Sequence, residues 1–372
     1  MTGGIMRKNL LRTMLLWNLL FSVAAIWWML AATGTGVLPW QNGKEGENQN
    51  PSENRAGMQD GTAADSISQS ALYGGELPEE PLAFAADRGS PGFAFSLPTG
   101  VAAEDLFLEN RCERQEFLIG FPVDCGDFFK QSVLTGNRDK VGAVYLSGQE
   151  GFTRLRLTLD DVYDYQCTVE KGMAVLTFER PDRFYDSIVL VDVEDASGRS
   201  ADGKTDIAMD VAERVQSRLE TEGIRVYCSL NTEMSVEERA AFAHRLGADL
   251  LIGIRQSESE ETDKAEAEPL RILYNDTYYI PFFGNTQLVS LLDTYLSEET
   301  QQSVKASISA TETKDLILEH AQIPAAVIEL GAGDKAPFMD EAYREALAAG
   351  IAGAVLEACG QIDSAQETYY ER

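Results

Sequence analysis

The chain has 372 residues, 44% of them hydrophobic, and carries 60 acidic against 31 basic side chains, for a formal net charge of −29. This length and apolar content are enough for a sizeable core and for two domains. So acidic a surface argues against nucleic-acid binding and against adsorption to anionic lipid, because phosphate contacts need basic side chains that release counterions.

The first segment of the chain has the pattern of a membrane anchor. Residues 14–32 are almost wholly apolar, with Asn18 as the one strongly polar member, and this length spans a bilayer as a helix. Basic residues precede the run: Arg7, Lys8 and Arg12. The positive-inside rule then predicts a cytoplasmic tip and transmembrane anchor over residues 1–40, with the rest of this single-pass cell-membrane protein extracytoplasmic. A cleaved signal peptide is the alternative, since Leu30-Ala31-Ala32 offers small residues for cleavage.

A polar segment follows the apolar run. Residues 41–92 are rich in Gly, Asn, Glu and Ser and show neither a helical nor a strand period. Such a segment buries too little apolar area to order itself. We predict a disordered, flexible linker over residues 41–92 that holds the folded part away from the membrane.

A period of two then predicts a small antiparallel β domain over residues 93–182. Leu155, Leu157 and Leu159 alternate with polar residues, and the triplet Glu170-Lys171-Gly172 is typical of a hairpin turn. The stretch GFTRLRLTLDDVYDYQCTVEKGMAVLTFERP is similar in pattern to the AMIN-type β domains that accompany cell-wall amidases.

Residues 183–362 alternate strand and helix patterns, which predicts an α/β domain. Ser235 is followed three residues later by Glu238, which is the pattern of a helix capping box. We predict a polar tail over residues 363–372. The predicted strands are 187–193, 224–229, 249–255, 270–274 and 324–331, and the predicted helices are 206–222, 235–246, 285–298, 313–321 and 340–359.

Cysteine and histidine are sparse. The five cysteines form no CxxC pair and no metal-ligand spacing, and only two histidines occur. Cys112 and Cys125 can form a disulfide if their segment lies outside the cell; the other interpretation is that all five cysteines are small buried apolar residues. Two histidines make a His-rich metal site hard to build.

One carboxylate stands out at a strand end. The predicted strand PAAVIELG delivers Glu329 to the carboxyl end of the sheet. Ligand sites of α/β proteins lie at this end of parallel strands. Glu329 is therefore a candidate catalytic acid or base.

Four stretches in this order, YDSIVLVD, EGIRVYCSL, MSVEERAAFAHRLGADLLIGI and IPAAVIELG, resemble the zinc-dependent N-acetylmuramoyl-L-alanine amidases of the Amidase_3 type. The resemblance covers residues 185–360 and implies an amidase-like α/β fold with a mixed, mostly parallel sheet flanked by helices. It also implies the family's substrate, the amide that joins the muramyl lactyl group to the first alanine of the peptidoglycan stem peptide. The family's chemistry needs a zinc ion held by two histidines and a glutamate, and a separate glutamate as general base.

Carried over by motif, the general base is Glu329, whereas the three ligand positions fall on Asp195, Lys204 and Arg255. An aspartate can bind zinc, but a protonated lysine and an arginine have no lone pair to give. The resemblance with these replacements predicts no zinc, no other cofactor and a vestigial Glu329. We expect the four residues to form a charge-compensated cluster in which Glu329 is the counter-ion of Arg255. The alternative keeps the pocket as a binder of stem-peptide carboxylates through Arg255 and Lys204.

These patterns favour a membrane-anchored, extracytoplasmic amidase-family protein that is catalytically inactive and binds peptidoglycan or regulates cell-wall remodelling. One alternative is an active N-acetylmuramoyl-L-alanine amidase with unorthodox ligands, which would require zinc. Another is a protein–protein scaffold of the cell-wall machinery. The predicted partners are thus peptidoglycan or cell-wall proteins, together with the membrane that the N-terminal helix crosses.

Overall fold

The computed structural model of the chain describes residues 78–149, 151–194, 207–230, 234–256, 270–277, 280–302, 304, 307–309, 315–330 and 337–370. All of them belong to one compact unit, Pro51–Arg372. The predicted membrane anchor lies outside the described residues, and so do two of the predicted site residues, Asp195 and Lys204.

Two five-stranded sheets and one short helix build the β module. The first sheet has the order β1-β7-β8-β5-β4 and the second the order β2-β6-β3-β10-β9. The elements are β1 Glu80–Leu82, β2 Ala85–Ala86, β3 Gly92–Ser96, β4 Phe107–Arg111, β5 Glu116–Phe121, α1 Gly126–Gln131, β6 Thr135–Gly136, β7 Val141–Gln149, β8 Phe152–Leu159, β9 Asp164–Glu170 and β10 Met173–Glu179.

The core of the β module lies between its two sheets and is rich in phenylalanine. The alternation predicted for Leu155, Leu157 and Leu159 is confirmed, because all three side chains are buried in this core. The ladders are antiparallel except for the short pair β2 and β6, which is parallel. The largest fully buried rings of the core are Phe93, Phe95, Phe117, Phe121, Phe129 and Phe178.

The predicted boundary of the linker at residue 92 is wrong. Strand β1 pairs antiparallel with β7, and β2 pairs with β6, so the β module begins at Glu80. Phe84, between these two strands, is buried in the core of the module. Strands of two and three residues are too short to show a period of two, and their pairing depends on strands far along the chain.

The α/β domain contains a six-stranded mixed sheet of order β12-β11-β13-β16-β14-β15. The first four strands of this order are parallel, β14 runs antiparallel to β16, and β15 is parallel to β14. The strands are β11 Ile188–Glu194, β12 Arg225–Leu230, β13 Leu250–Gln256, β14 Arg271–Tyr274, β15 Ser307–Ser309 and β16 Ala325–Leu330. The predicted mixed α/β fold is confirmed.

Helices cover both faces of this sheet, as the sequence predicts. Three of them, α2 (Ile207–Thr221), α4 (Asn285–Thr300) and α6 (Glu341–Tyr370), contribute to the larger apolar cluster. Two others, α3 (Val236–Leu246) and α5 (Leu316–His320), pack on the opposite face. The buried apolar runs of the central strands therefore lie between two helical layers.

The start of α3 agrees with the sequence, because a cap defines it. The predicted capping box is confirmed: Ser235 Oγ accepts from Glu238 N at 3.2 Å, and Glu238 Oε2 accepts from Ser235 N at 2.7 Å. At the other end of the chain, α6 does not stop at Cys359 but continues to Tyr370, so the predicted tail is helical up to that residue. Gly360 follows Cys359, but a long helix tolerates one glycine, and no proline follows that would end the helix.

Helix α6 is also apolar. Among the described residues, Glu341–Ala365 is the one stretch long and apolar enough to cross a membrane by length and composition, and 56% of its apolar window is buried inside the protein. It packs against α2 and α4. These contacts are those of the core helix of a folded domain.

None of the five cysteines, all of which lie within the described residues, forms a disulfide. Cys112 and Cys125 lie in different apolar clusters, so the structure does not join them in a disulfide. Burial raises the pKa of Cys167 to about 11 and the pKa of Cys359 to about 12, the latter with help from nearby carboxylates. Thiols with pKa values this high stay protonated and unreactive. Cys112, Cys125 and Cys359 are buried, as the second interpretation predicts, whereas Cys167 and Cys228 are half-buried.

Candidate functional site

The carboxyl ends of the parallel strands bring together two of the predicted site residues. Arg255 near the end of β13 is in direct register with Glu329 near the end of β16. Partners in register place their side chains on the same face of the sheet. Arg255 Nη2 lies 3.4 Å from Glu329 Oε1, so the two residues form an ion pair.

A third residue, which the sequence analysis missed, makes the shorter contact. Arg255 Nη1 donates to Asp315 Oδ2 at 2.7 Å. The side chain of Asp315 is 3% exposed, against 24% for Arg255. Asp315 also caps α5, because its Oδ1 accepts from Leu318 N at 3.2 Å. This carboxylate therefore binds a helix start and a strand end at once.

Arg271 completes the group. It begins β14, which is antiparallel to β16 and in register with Glu329 at this point. Its Nη1 lies 3.5 Å from Glu329 Oε2, and its side chain is 38% exposed. We call Arg255, Arg271, Asp315 and Glu329 the strand-end cluster. It holds two guanidinium groups and two carboxylates, so its formal charges cancel.

The donor set of the strand-end cluster does not suit zinc. Guanidinium groups have no lone pair to offer a metal and carry a charge that repels one. Among the described residues there is no group of three or more His, Cys, Asp and Glu side chains arranged to hold a metal ion. What the cluster can do is neutralise itself, or exchange one of its carboxylates for that of a ligand.

A second buried ion pair lies beneath the strand ends. Asp192 on β11 is in register with Ser229 on β12, whose hydroxyl donates to Asp192 Oδ1. Arg239 of α3 places Nε 2.9 Å from the same oxygen, and both charged side chains are almost fully buried. The pair therefore ties α3 to the sheet. The sequence could have indicated that Arg239 is buried, because Arg239 lies on the same helix face as the buried residues Ala243 and Leu246.

A family model matches most of the region that resembles the amidases. Residues 194–357 match the family model Amidase_3, described as N-acetylmuramoyl-L-alanine amidase. This match supports an amidase-type domain in the α/β part of the chain, and it covers a little under half of the 372 residues. No curated protein matches the chain.

Several solved structures resemble the same part. The amidase AmiC2 of Nostoc punctiforme has 16% identity and a TM-score of 0.37, covering 46% of this chain and 96% of that one. The catalytic domain of the amidase CwlV from Bacillus (Paenibacillus) polymyxa var. colistinus has 18% identity and a TM-score of 0.37, covering 46% and 97%. An amidase from Clostridium difficile 630 has 19% identity and a TM-score of 0.37, covering 46% and 95%.

Proposed function

We propose that this chain is a membrane-anchored, extracytoplasmic protein whose amidase-type domain has lost its zinc and its hydrolytic activity, and which binds peptidoglycan or regulates cell-wall remodelling. One observation carries the proposal. Arg255 stands at the strand end where the family resemblance places a zinc-binding histidine, and it is held there by Asp315 and Glu329.

The electrostatics of this arrangement oppose a bound dication. At an effective dielectric constant near 20, two unit charges ~4 Å apart interact by about 4 kcal/mol, and the repulsion doubles for a doubly charged ion. Arg255 cannot lose its proton to escape this cost. Without a metal, nothing lowers the pKa of the attacking water toward 7. Glu329 is then a counter-ion rather than a general base.

The membrane anchor and the cell-wall partner rest on other grounds. The anchor rests on the apolar run over residues 14–32 and the basic residues before it. Peptidoglycan as the partner rests on the match of residues 194–357 to a family of N-acetylmuramoyl-L-alanine amidases. The net charge of −29 favours neither nucleic acid nor anionic lipid as a ligand.

The decisive experiment measures zinc and hydrolysis on the purified full chain. We expect substoichiometric zinc by elemental analysis and no release of stem peptides from purified peptidoglycan. Near-stoichiometric zinc together with stem-peptide release would contradict the proposal. Sedimentation with insoluble peptidoglycan then tests binding: retention in the pellet supports a wall-binding protein, and its absence favours a protein–protein scaffold.

A designed variant tests the ligand positions themselves. The triple substitution Asp195→His, Lys204→Glu and Arg255→His should raise the zinc content of the chain, because it restores two imidazoles and a carboxylate. The matched control is Arg271→His, which adds a histidine to the same cluster away from the ligand positions. No gain of zinc by the triple variant would show that these positions are misassigned.

An active amidase is the second candidate, and the family match together with the place of Glu329 at the end of β16 favours it. On this alternative Glu329→Gln should abolish the release of stem peptides. On the first proposal the same variant changes no hydrolysis, because there is none to lose.

A further inference from the structure

A buried polar cluster joins the β module to the α/β domain. Asp164, the first residue of β9, is fully buried. Its Oδ2 lies 3.1 Å from Arg225 Nη2 and accepts from Tyr227 Oη at 2.6 Å, and both partners belong to β12 of the other domain. Its Oδ1 accepts from the backbone of Tyr165 at 2.8 Å. We call Asp164, Arg225 and Tyr227 the interdomain joint.

Neighbouring side chains hold the joint from both sides. On the side of the β module, Asn110 Nδ2 donates to the carbonyl of Tyr163 at 2.9 Å, next to Asp164. On the other side, the Arg225 guanidinium lies over the rings of Tyr185 and Tyr227, at 5.2 Å and 4.9 Å from their centres. Cation–π contact of this kind strengthens when the ion is removed from water.

Apolar residues close the joint to solvent. Cys112 and Val162 of the β module belong to the same buried cluster as Ile188 and Leu190 of β11. A buried ion pair surrounded in this way is costly to separate, because each charge would be left without its partner or would have to be hydrated again. The interface therefore favours one docked arrangement over a range of loose ones.

The joint lies far from the strand-end cluster along the sheet. Arg225 begins β12 and is in register with Ile188, the first residue of β11. The strand-end cluster lies at the opposite ends of the parallel strands, beyond Val193, which is in register with Leu230. Arg255 of that cluster is in register with Glu194, six residues along β11 from Ile188. At ~3.3 Å for each residue, the two levels are about 20 Å apart.

We propose that Asp164, Arg225 and Tyr227 lock the β module onto the amino-terminal end of the α/β sheet in a single orientation. The β module is then a rigid support and not a lid, since it is fixed at the end of the sheet away from the strand-end cluster. A ligand or partner that binds at the strand ends meets a face that the β module does not cover, whether or not the domain has lost its zinc.

Hydrogen exchange of the full chain tests the lock. Asp164→Asn and Arg225→Gln each leave one buried group uncompensated. We expect exchange at least about tenfold faster in peptides that cover β9 and β12, and unchanged exchange in peptides that cover β13 and β16. Tenfold corresponds to about 1.4 kcal/mol. The matched control is Arg180→Gln, which removes an exposed ion pair with Asp182 in the segment between the domains and should change nothing.

The double variant separates a specific pair from general damage. The double variant, Asp164→Asn with Arg225→Gln, removes both charges together. Its hydrogen exchange in β9 and β12 should therefore be accelerated by less than the product of the two single-variant accelerations. Two results would overturn the proposal: single-variant effects on exchange that are additive in the double variant, or peptides of β13 that lose protection together with those of β9. If the single variants fail to fold, Tyr227→Phe removes only one hydrogen bond: faster exchange confined to β9 and β12 supports the lock, and unchanged exchange overturns it.

Discussion

Arg255 shows how far a single residue can be placed from sequence. Its proximity to Glu329 follows from two strands that end at the same edge of a parallel sheet. Its shorter contact is with Asp315, which is 60 residues away and begins a helix of only five residues. The helix was predicted to begin at Thr313, so the capping aspartate was not recognised. A cap that also binds an arginine carries no signal of its own in the sequence.

The two arginines of the strand-end cluster should differ in their contribution to stability. Arg255→Met leaves the buried Asp315 without its cation, and we expect it to lower the free energy of unfolding by about 2–3 kcal/mol. Arg271→Met is the matched control: its 3.5 Å contact with Glu329 is partly exposed, so its loss should cost under about 1 kcal/mol. Urea denaturation measures both values. Equal losses would mean that Asp315 does not depend on Arg255.

The packing of α6 against α4 depends on the absence of side chains at two glycines. A Cβ at Gly350 would lie 3.0 Å from the Cα of Leu296 and 3.1 Å from the carbonyl oxygen of Tyr295, and backbone atoms cannot yield locally. A Cβ at Gly353 would lie 2.6 Å from the ring of Tyr295. The glycines thus allow the two helix backbones to approach closely.

This packing predicts opposite effects for one substitution at two positions of α6. Gly350→Ala should destabilise the chain by about 1–3 kcal/mol, because the helices must move apart. Gly360→Ala meets nothing within 4 Å and should stabilise it by about 0.5–1 kcal/mol through helix propensity. Thermal denaturation of both variants checks the signs. A stabilising Gly350→Ala would show that α4 and α6 are not in close contact.

The interdomain joint also predicts how the stability of the chain depends on pH. Burial, and then the charge of Asp164, raise the pKa of Tyr227 well above its ordinary value of 10.0. The Cys112 thiol adds to this rise, while Arg225 opposes it. Burial raises the pKa of Tyr185 as well. At alkaline pH the folded chain therefore keeps protons that the unfolded chain has released.

The contribution of these tyrosines to the free energy of unfolding should be complete below pH 10. As the pH rises above 10, the free energy of unfolding should fall by about 1.4 kcal/mol per pH unit for each such tyrosine. Tyr227→Phe should make this fall less steep. Urea denaturation between pH 8 and pH 11 measures the slope. If Tyr227→Phe and the parent chain show the same slope, the pH dependence of the free energy of unfolding does not come from Tyr227.

Elements whose signal is local could be predicted from the chain alone. Continuous apolar runs identified β11, β13 and β16, because strands buried on both faces need apolar side chains throughout. The capping box at Ser235 was predicted for a similar reason, since its two hydrogen bonds join residues three positions apart. The short strands β1, β2 and β15 were missed, because their pairing depends on distant partners and too few residues carry the pattern.

Composition and local pattern were thus enough for the α/β class and for the order of its longer elements. The place of Arg255 at a ligand position follows from the family resemblance and stays a prediction. The pairing of Arg255 with Glu329 was also predicted, but tertiary structure alone decided which other charges meet. Asp315 binds Arg255 and Asp164 binds Arg225 across 60 and 61 residues of chain, respectively. Contacts of this kind are selected by the geometry of packed elements and by the cost of burying an unpaired charge, and neither is encoded in the spacing of residues along the sequence.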